Sequence, residues 1–286
     1  KSVEVGKADI ILEIQPDFEK ELIRTGFARV MISANAVNGV KGGIGSSYLA
    51  GIVRDYSSDL LTDQGIVNRT GQTPTIAVVS HNLFNPHLDY KIFMIPALMV
   101  MLLTLLSGFL PALNIVSEKE TGTIEQMNVT PVSKIMFIFA KLVPYWTMGF
   151  VVLSLGLGLS VLIYGLYPLG SLATIYLYAS VYVLVVSGLG LVISNYSDSM
   201  QQAMFVIFFF VVILILISGL FTPVSSMPEW AQWITVVNPL KYFMEVMRSV
   251  YLKGSGMSEL MPQLFALCGF ALFFNAWAVL SYKKSA

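Results

Sequence analysis

The sequence is poor in nearly everything that enzyme chemistry uses. Among 286 residues there is one cysteine, Cys268, inside an apolar run. A single chain can therefore build neither a disulfide framework nor a cysteine-based metal site. There are two histidines, His81 and His87. With Asp89 they give the one hint of a metal set, but Pro86 interrupts them and the stretch reads as a loop, so no metal site is expected. Charge is scarce as well: 12% of residues are Asp, Glu, Lys or Arg, and seventeen basic against seventeen acidic residues leave no net charge. Nothing in that balance recommends a nucleic-acid partner.

Signature motifs are missing too. VNGVKGGIGSS, residues 37–47, is glycine-rich, but Lys41 precedes Gly42 and Gly43 and no strand-to-helix context of the right order is evident. It is therefore not a phosphate-binding loop. The chain is not expected to bind ATP itself. GLGLS, residues 156–160, is no dinucleotide fingerprint, and its small residues suit close helix packing. No G-x-S-x-G elbow is present. From Leu142 to Ser197 there is no Asp, Glu, Lys, Arg or His. Ion- and proton-coupled carriers keep such groups in mid-membrane, so this absence argues against a secondary transporter. An intramembrane enzyme would need a polar set within its spans, and none is seen.

Apolar residues fill the space so vacated. The chain is 56% hydrophobic with a mean hydropathy of +0.73. That composition places it in a membrane. About 20 apolar residues cross a hydrocarbon core as a helix. Five stretches qualify, near residues 92–116, 135–167, 168–194, 200–221 and 261–282. Pro96 and Pro111 lie inside the first, and membrane helices tolerate such prolines where neighbours satisfy the freed backbone. Lys141 is the one charge inside the second and is expected to snorkel to the interface.

Residues 1–90 hold most of the charge and read as a small α/β domain. Period-two runs at Ala8–Ile14 and β-rich runs at Ala28–Ala34 and Pro74–Ser80 predict strands. PDFEKELIRTG predicts a short helix with Gly26 at its C-cap, and Gly45–Asp63 a longer one. The chain begins at Lys1 without a Met, a basic n-region or an apolar h-region, so no targeting signal is visible and the numbering is expected to begin inside a longer protein.

Five spans put this domain and the C-terminus on opposite sides. Lys283 and Lys284 favour a cytoplasmic C-terminus. Counting back, residues 117–134 are cytoplasmic, while the α/β domain and residues 222–260 are outside. The cytoplasmic segment, SEKETGTIEQMNVTPVSK, is a charged interruption in an oily chain. Ser117 and Glu120 have capping-box spacing, Thr123 and Gln126 offer a second, and Pro131 terminates the helix so started. Its charge pattern alone fits either a short helix or a solvated loop. In the outer segment, Trp230, Trp233 and Val237 fall at helical spacing. Pro239 restarts the chain, and Leu240, Phe243, Met247 and Val250 repeat the pattern, which predicts two amphipathic interfacial helices within residues 228–252.

In this outer segment the chain resembles the ABC export permeases of the type 2 class. The residues that carry the resemblance are Ser218, Gly219, Pro223, Met227, Pro228, Trp230, Asn238, Pro239, Leu240 and Tyr242, followed by Arg248. ILEIQPDFEKEL is similar to the strand and helix of that family's large extracytoplasmic domain, with Gln15 where Ile is usual. FNPHLDYKIFMIPALM resembles the family's approach to its second span, with Ala97 where Gly is common. Glu118, Lys119, Glu120, Gly122, Thr123, Ile124, Glu125, Gln126, Met127, Thr130 and Pro131 are similar to its cytoplasmic coupling helix, with Met127 for Leu.

The resemblance implies a polytopic α-helical membrane protein with an α/β extracytoplasmic domain. The family has six spans, so a span and the start of the outer domain are expected to precede Lys1. It implies a permease subunit, not an enzyme, that moves an amphiphilic or drug-like substrate outward across the bacterial cytoplasmic (inner) membrane, with the outer domain periplasmic or extracellular. Implied partners are an ATP-binding cassette ATPase that carries ATP and Mg, a second copy of this or a homologous permease, and membrane lipid. Glu118, Lys119, Glu120, Gly122, Thr123, Glu125 and Pro131 are then the ATPase-coupling residues. A membrane-anchored receptor or assembly factor with a partner-binding outer domain is the alternative, and it has no need of the cytoplasmic motif.

Overall fold

The computed structural model describes residues 8–25, 27–36, 39–63, 75–85, 87–123 and 134–282. The chain divides into two compact units, Lys1–Phe93 and Met94–Ala286.

The first unit runs β1 (Ile10–Ile14), α1 (Phe18–Thr25), β2 (Phe27–Asn35), α2 (Gly39–Asp63), β3 (Thr75–Leu83). The three strands form one sheet in the order β1-β2-β3. β1 pairs antiparallel with β2, and β2 pairs parallel with β3, as a crossover through α2 requires. Alternation along β2 buries Ala28, Val30, Ile32 and Ala34 on one face. His81 stands on β3, not in a loop. Among the described residues no three of His, Cys, Asp and Glu could hold a metal ion.

The glycine-rich stretch does follow a strand and does open a helix, contrary to the expectation from sequence. Its glycines are used for contact: a Cβ on Gly42 would lie 3.0 Å from the Ala36 Cα, and one on Gly45 would collide with Ile10 Cδ1. α2 therefore begins six residues earlier than its apolar periodicity predicts, at Gly39. Gly26, the expected cap of α1, lies outside the described residues.

The second unit is helical. α3 (Tyr90–Glu120), α4 (Lys134–Tyr164), α5 (Leu172–Tyr196), α6 (Met200–Ile217) and α9 (Met261–Ser281) are long and apolar enough to cross a membrane. Between α6 and α9 lie two short helices, α7 (Glu229–Val236) and α8 (Pro239–Arg248), the latter running into a π-turn at Ser249–Lys253. The protein is thus a polytopic helical membrane protein with a small α/β domain. α3 keeps both its prolines inside one unbroken helix. The GLYPLG stretch ends α4 at Tyr164 and delays α5 to Leu172, leaving a longer connection than hydropathy suggests.

α5 is the centre of the bundle. Of its most apolar window 78% is buried, against 56% for α3, 22% for α4 and α6, and 11% for α9. Lipid is as apolar as leucine, so burial here comes from close backbone approach and polar contacts. A Cβ on Gly190 would lie 2.5 Å from the Gly108 carbonyl oxygen, which makes this the tight crossing of α5 on α3. Tyr182 Oη lies 2.6 Å from Thr104 Oγ1, which itself donates to the Val100 carbonyl. Asn275 Nδ2 donates to the carbonyls of Leu184 and Ala271 at 3.0 and 2.8 Å, joining α9 to α5.

Gly190→Ala is expected to cost about 1–3 kcal/mol, because a backbone carbonyl cannot yield as a side chain can. The melting temperature of the detergent-purified protein should fall. Gly158→Ala, where nothing lies within 4 Å, should leave it unchanged.

Candidate functional site

Two polar clusters stand at opposite ends of the bundle. The first gathers the ends of α3, α5 and α9 with the starts of α4 and α6. Ser117–Glu120 do not cap a new helix: they are the last turn of α3. The Thr121 N–H donates to Ser117 O at 3.0 Å and the Gly122 N–H to Lys119 O at 3.2 Å. Gly122 takes φ 74°. This is the left-handed turn that ends a helix. The span outlasts its apolar run because each charge beyond it finds a partner within the bundle.

Glu118 forms an ion pair with Lys141 of α4, and Lys141 Nζ also donates to Asn114 Oδ1 at 3.4 Å. Lys141 is therefore a paired group, not a snorkelling one. The side chains of Glu118 and Lys141 are 20% and 23% exposed. Water and salt screen a pair so placed poorly. Beneath lies an apolar cluster of Ile115, Leu142, Leu191, Val192 and Ala278.

Lys119 Nζ donates to the carbonyls of Ser194, Asn195 and Ser197 at 2.6, 3.2 and 3.2 Å. These are acceptors at the end of α5, where the helix dipole also favours a cation. Glu120 does the converse. Its Oε1 accepts from the Met200 N–H at 2.7 Å. That places a carboxylate on the positive start of α6, whose N-cap Ser199 accepts from the Gln202 N–H. Asn195 Nδ2 donates to Ala278 O and Ser281 Oγ at 2.9 and 2.8 Å and ties in α9.

Three consecutive residues of α3 thus bind α4, α5 and α6. The charge pattern marked these residues, and within the chain Glu118 and Lys119 bind α4 and the end of α5. Gly122 and Thr123 come next, with Thr123 exposed at the surface. Glu125 and Pro131 lie outside the described residues. Ser194, Asn195 and Ser197 were missed by sequence reasoning, because they contribute backbone carbonyls, which carry no residue signature.

The second cluster is the hairpin α7–α8. Ser218 ends α6 and its Oγ accepts from the Leu220 N–H, while Gly219 turns the chain at φ 83°. Pro223 starts a short 3-10 turn, Val224–Ser226, and Pro228 precedes α7. The Met227 carbonyl accepts from Gln232 Nε2 at 2.8 Å. Trp230 and Trp233 are exposed on the outer face of α7 together with Val237, as their spacing predicts.

Asn238 caps α8 and ties it to α6: its Oδ1 accepts from the Leu240 N–H at 3.0 Å, and its Nδ2 donates to Leu214 O of α6 at 2.8 Å. The first of these bonds satisfies a donor that the start of a helix leaves without an intrahelical partner. Pro239 fits the first helical position, which needs no N–H. Leu240, Phe243, Met247 and Val250 are all fully buried. Phe243 stacks on Tyr182 of α5 at 4.4 Å between centroids. Tyr182 lies ten residues into α5, about 15 Å along it at about 1.5 Å per residue, so the hairpin dips into the bundle.

Tyr242 Oη donates to Val236 O at 2.9 Å and closes the hairpin. Arg248 donates from Nη1 to Gly219 O and from Nη2 to Leu220 O, both at 2.9 Å, clamping the end of α8 to the end of α6. Burial lowers its guanidinium to about 10, with Glu245 opposing, so it stays charged at neutral pH. Burial also raises the Glu245 carboxyl, while Lys241, the Gln263 amide at 3.4 Å and Arg248 act to lower it. On the far side, Tyr251 Oη donates to Leu166 O and the Gly170 N–H donates to Val250 O, both at 2.9 Å, which fastens the π-turn to the α4–α5 connection.

Comparison with known proteins agrees with this architecture. The family model for ABC-2 family transporter proteins matches residues 1–280. The probable multidrug ABC transporter permease YbhR of Escherichia coli K12 is 29% identical over 266 residues, covering 93% of this chain and 71% of YbhR. The probable multidrug ABC transporter permease YbhS of the same strain is 27% identical, covering 99% of this chain and 74% of its own length. The inner membrane transport permease YhhJ, also from that strain, is 23% identical over 99% and 75%. With five apolar spans among the described residues, the motif at the end of α3 and a family match along nearly its whole length, the chain belongs to the ABC-2 family and is a membrane permease subunit of an ABC transporter.

Proposed function

We propose that this permease exports an amphiphilic or drug-like substrate across the bacterial cytoplasmic membrane, driven by a separate ATPase docked on the segment after α3. The observation that carries the reading is the cluster at the end of α3. Glu118, Lys119 and Glu120 fasten one turn of helix to α4, α5 and α6, so a displacement of residues 121–133 reaches four spans together. A rigid polar link of this kind is what a switch between two packed arrangements requires. Glu125 and Pro131, by their place in the motif, are left to face the ATPase. Two permease copies would enclose the pathway, with the α/β domain on the outer side of the membrane.

An amphiphilic cargo fits the chemistry of the spans. Phe205, Phe208 and Phe209 are exposed along α6, and residues 142–197 offer no charge to bind an ion. The test is reconstitution of the permease with its ATPase and measurement of ATP hydrolysis across a panel of amphiphiles. Stimulation by members of the panel is expected in the wild type. Lys119→Met should preserve basal hydrolysis while reducing stimulation about tenfold or more, as loss of three charge-assisted hydrogen bonds implies. Equal stimulation in Lys119→Met would refute the coupling route, and no stimulation by any amphiphile would refute the substrate class.

A further inference from the structure

Tyr182 of α5 is a hydrogen-bond donor held fast in the middle of the bundle. Its side chain is fully buried, and its ring stacks on Phe243 of α8 at 4.4 Å between centroids with 14° between the planes. Thr104 spends its own proton on the Val100 carbonyl at 2.7 Å. In the 2.6 Å contact between the two hydroxyls, Tyr182 Oη therefore donates and Thr104 Oγ1 accepts. Thr104 keeps its bond to Val100 whether or not Tyr182 is there.

A second acceptor stands three residues further along α3. Ser107 is buried, and its Oγ has no partner among the described residues. Pro111, inside the same helix, has no N–H and so cannot supply the bond that a helix otherwise gives to the Ser107 carbonyl. A buried hydroxyl left without a partner is costly, and the bilayer core holds no water to relieve it. α3 and α5 run parallel, with Thr104 at Tyr182 and, further along both helices, Gly108 at Val186 and Gly190. Residues three apart share a helix face and stand about 4.5 Å apart along the axis.

We propose that α3 has a second register on α5, about 4.5 Å toward its own start, in which Tyr182 Oη donates to Ser107 Oγ in place of Thr104 Oγ1. Sliding gains or loses little hydrophobic energy, because lipid and bundle are equally apolar. Ser107 is satisfied only in the second register, and Thr104 is satisfied in both, so the polar groups inside the bundle favour the second. The contacts at the far end of α3, from Lys119 to the carbonyls of α5 and from Glu120 to the Met200 N–H, favour the first. Opposed preferences of this kind make a packed element two-state, and a step of about one turn is a known form of such a switch. The inference rests on the proposed function in one respect: an ATPase that moves residues 121–133 would release Lys119 and Glu120 and let α3 step.

The test uses the full-length permease with its ATPase in lipid nanodiscs. Cys268→Ser removes the native thiol, and nitroxide labels are placed on Leu102→Cys and Tyr196→Cys, both exposed in the wild type, with labelled permease diluted in unlabelled. Leu102 lies on the start side of Thr104 and Tyr196 on the end side of Tyr182, so the step lengthens their separation. Pulsed electron paramagnetic resonance should show a second distance, longer by about 4 Å, when a non-hydrolysable ATP analogue is bound. Thr104→Val should raise the long population over the short about fivefold, and Ser107→Ala should lower it about as much. In a Tyr182→Phe background Thr104→Val should change nothing, a dependence that a merely structural role would not show. Stimulated ATP hydrolysis is measured on the same samples. One unchanged distance in the wild type and in Thr104→Val, with hydrolysis stimulated, overturns the second register and leaves the proposed function standing. A longer distance in Thr104→Val without stimulated hydrolysis upholds the register and overturns the coupling route. An effect of Thr104→Val that persists in Tyr182→Phe overturns the exchange of acceptors.

Discussion

Glu118→Lys should abolish transport, and Glu118→Lys combined with Lys141→Glu should restore much of it. That pair of outcomes is expected because the ion pair lies within one chain, between the last turn of α3 and the start of α4. The single substitution sets two ammonium groups against each other where water reaches them poorly. For a fully buried pair, removing one partner costs about 3–5 kcal/mol, and an exposed pair is worth at most about 1 kcal/mol. A pair roughly one-fifth exposed falls between these limits, at about 2 kcal/mol, enough to unseat the turn. ATP-dependent transport by the permease reconstituted with its ATPase is the measurement. A rescue by the exchanged pair places Glu118 in the transmission of force. If the exchanged pair is as inactive as Glu118→Lys while both are folded, Glu118 acts on the ATPase surface instead.

The second large effect is at the opposite end of the bundle. Arg248→Met is expected to destabilise the permease by about 2–4 kcal/mol. It strands the carbonyls of Gly219 and Leu220, and Leu220 is fully buried. It also takes a cation from half-buried Glu245, whose carboxyl is already raised. Arg248→Lys should be only a partial rescue, because an ammonium cannot span two carbonyls in the fixed fork of a guanidinium. Thermal unfolding followed by loss of monodisperse protein in detergent would show the order wild type, lysine, methionine. A methionine variant as stable as the wild type would mean that α8 is held by Leu240, Phe243 and Met247 alone.

Much of this molecule was legible in the sequence wherever the deciding physics is local. The five spans follow from runs of apolar residues long enough to cross hydrocarbon. The strand at Ile10–Ile14 follows from alternation and that at Phe27–Asn35 from a β-rich run, and the burial of Leu240, Phe243, Met247 and Val250 follows from helical spacing. Boundaries were read less well. Hydropathy ended the first span at Val116, yet the helix continues to Glu120 because its charges are satisfied by groups hydropathy cannot see. Likewise α2 starts at Gly39, since glycines that weaken a helix in isolation allow this one to lie against Ala36 and Ile10.

By itself the sequence determined that this is a membrane permease with an α/β domain, because length, apolarity and motif residues are properties of neighbouring positions along a chain. Only the tertiary structure decided what the charged residues of the motif do. Glu118 meets a residue 23 positions away, Lys119 meets carbonyls 75 to 78 positions away, Glu120 an amide 80 away, and Arg248 carbonyls 28 and 29 away. Most of those partners are backbone atoms, which every residue possesses and which become specific only when a helix ends in the right place. Packing of α3, α5 and α6 sets where those ends fall, and that packing turns a charged interruption in an oily chain into a joint between spans.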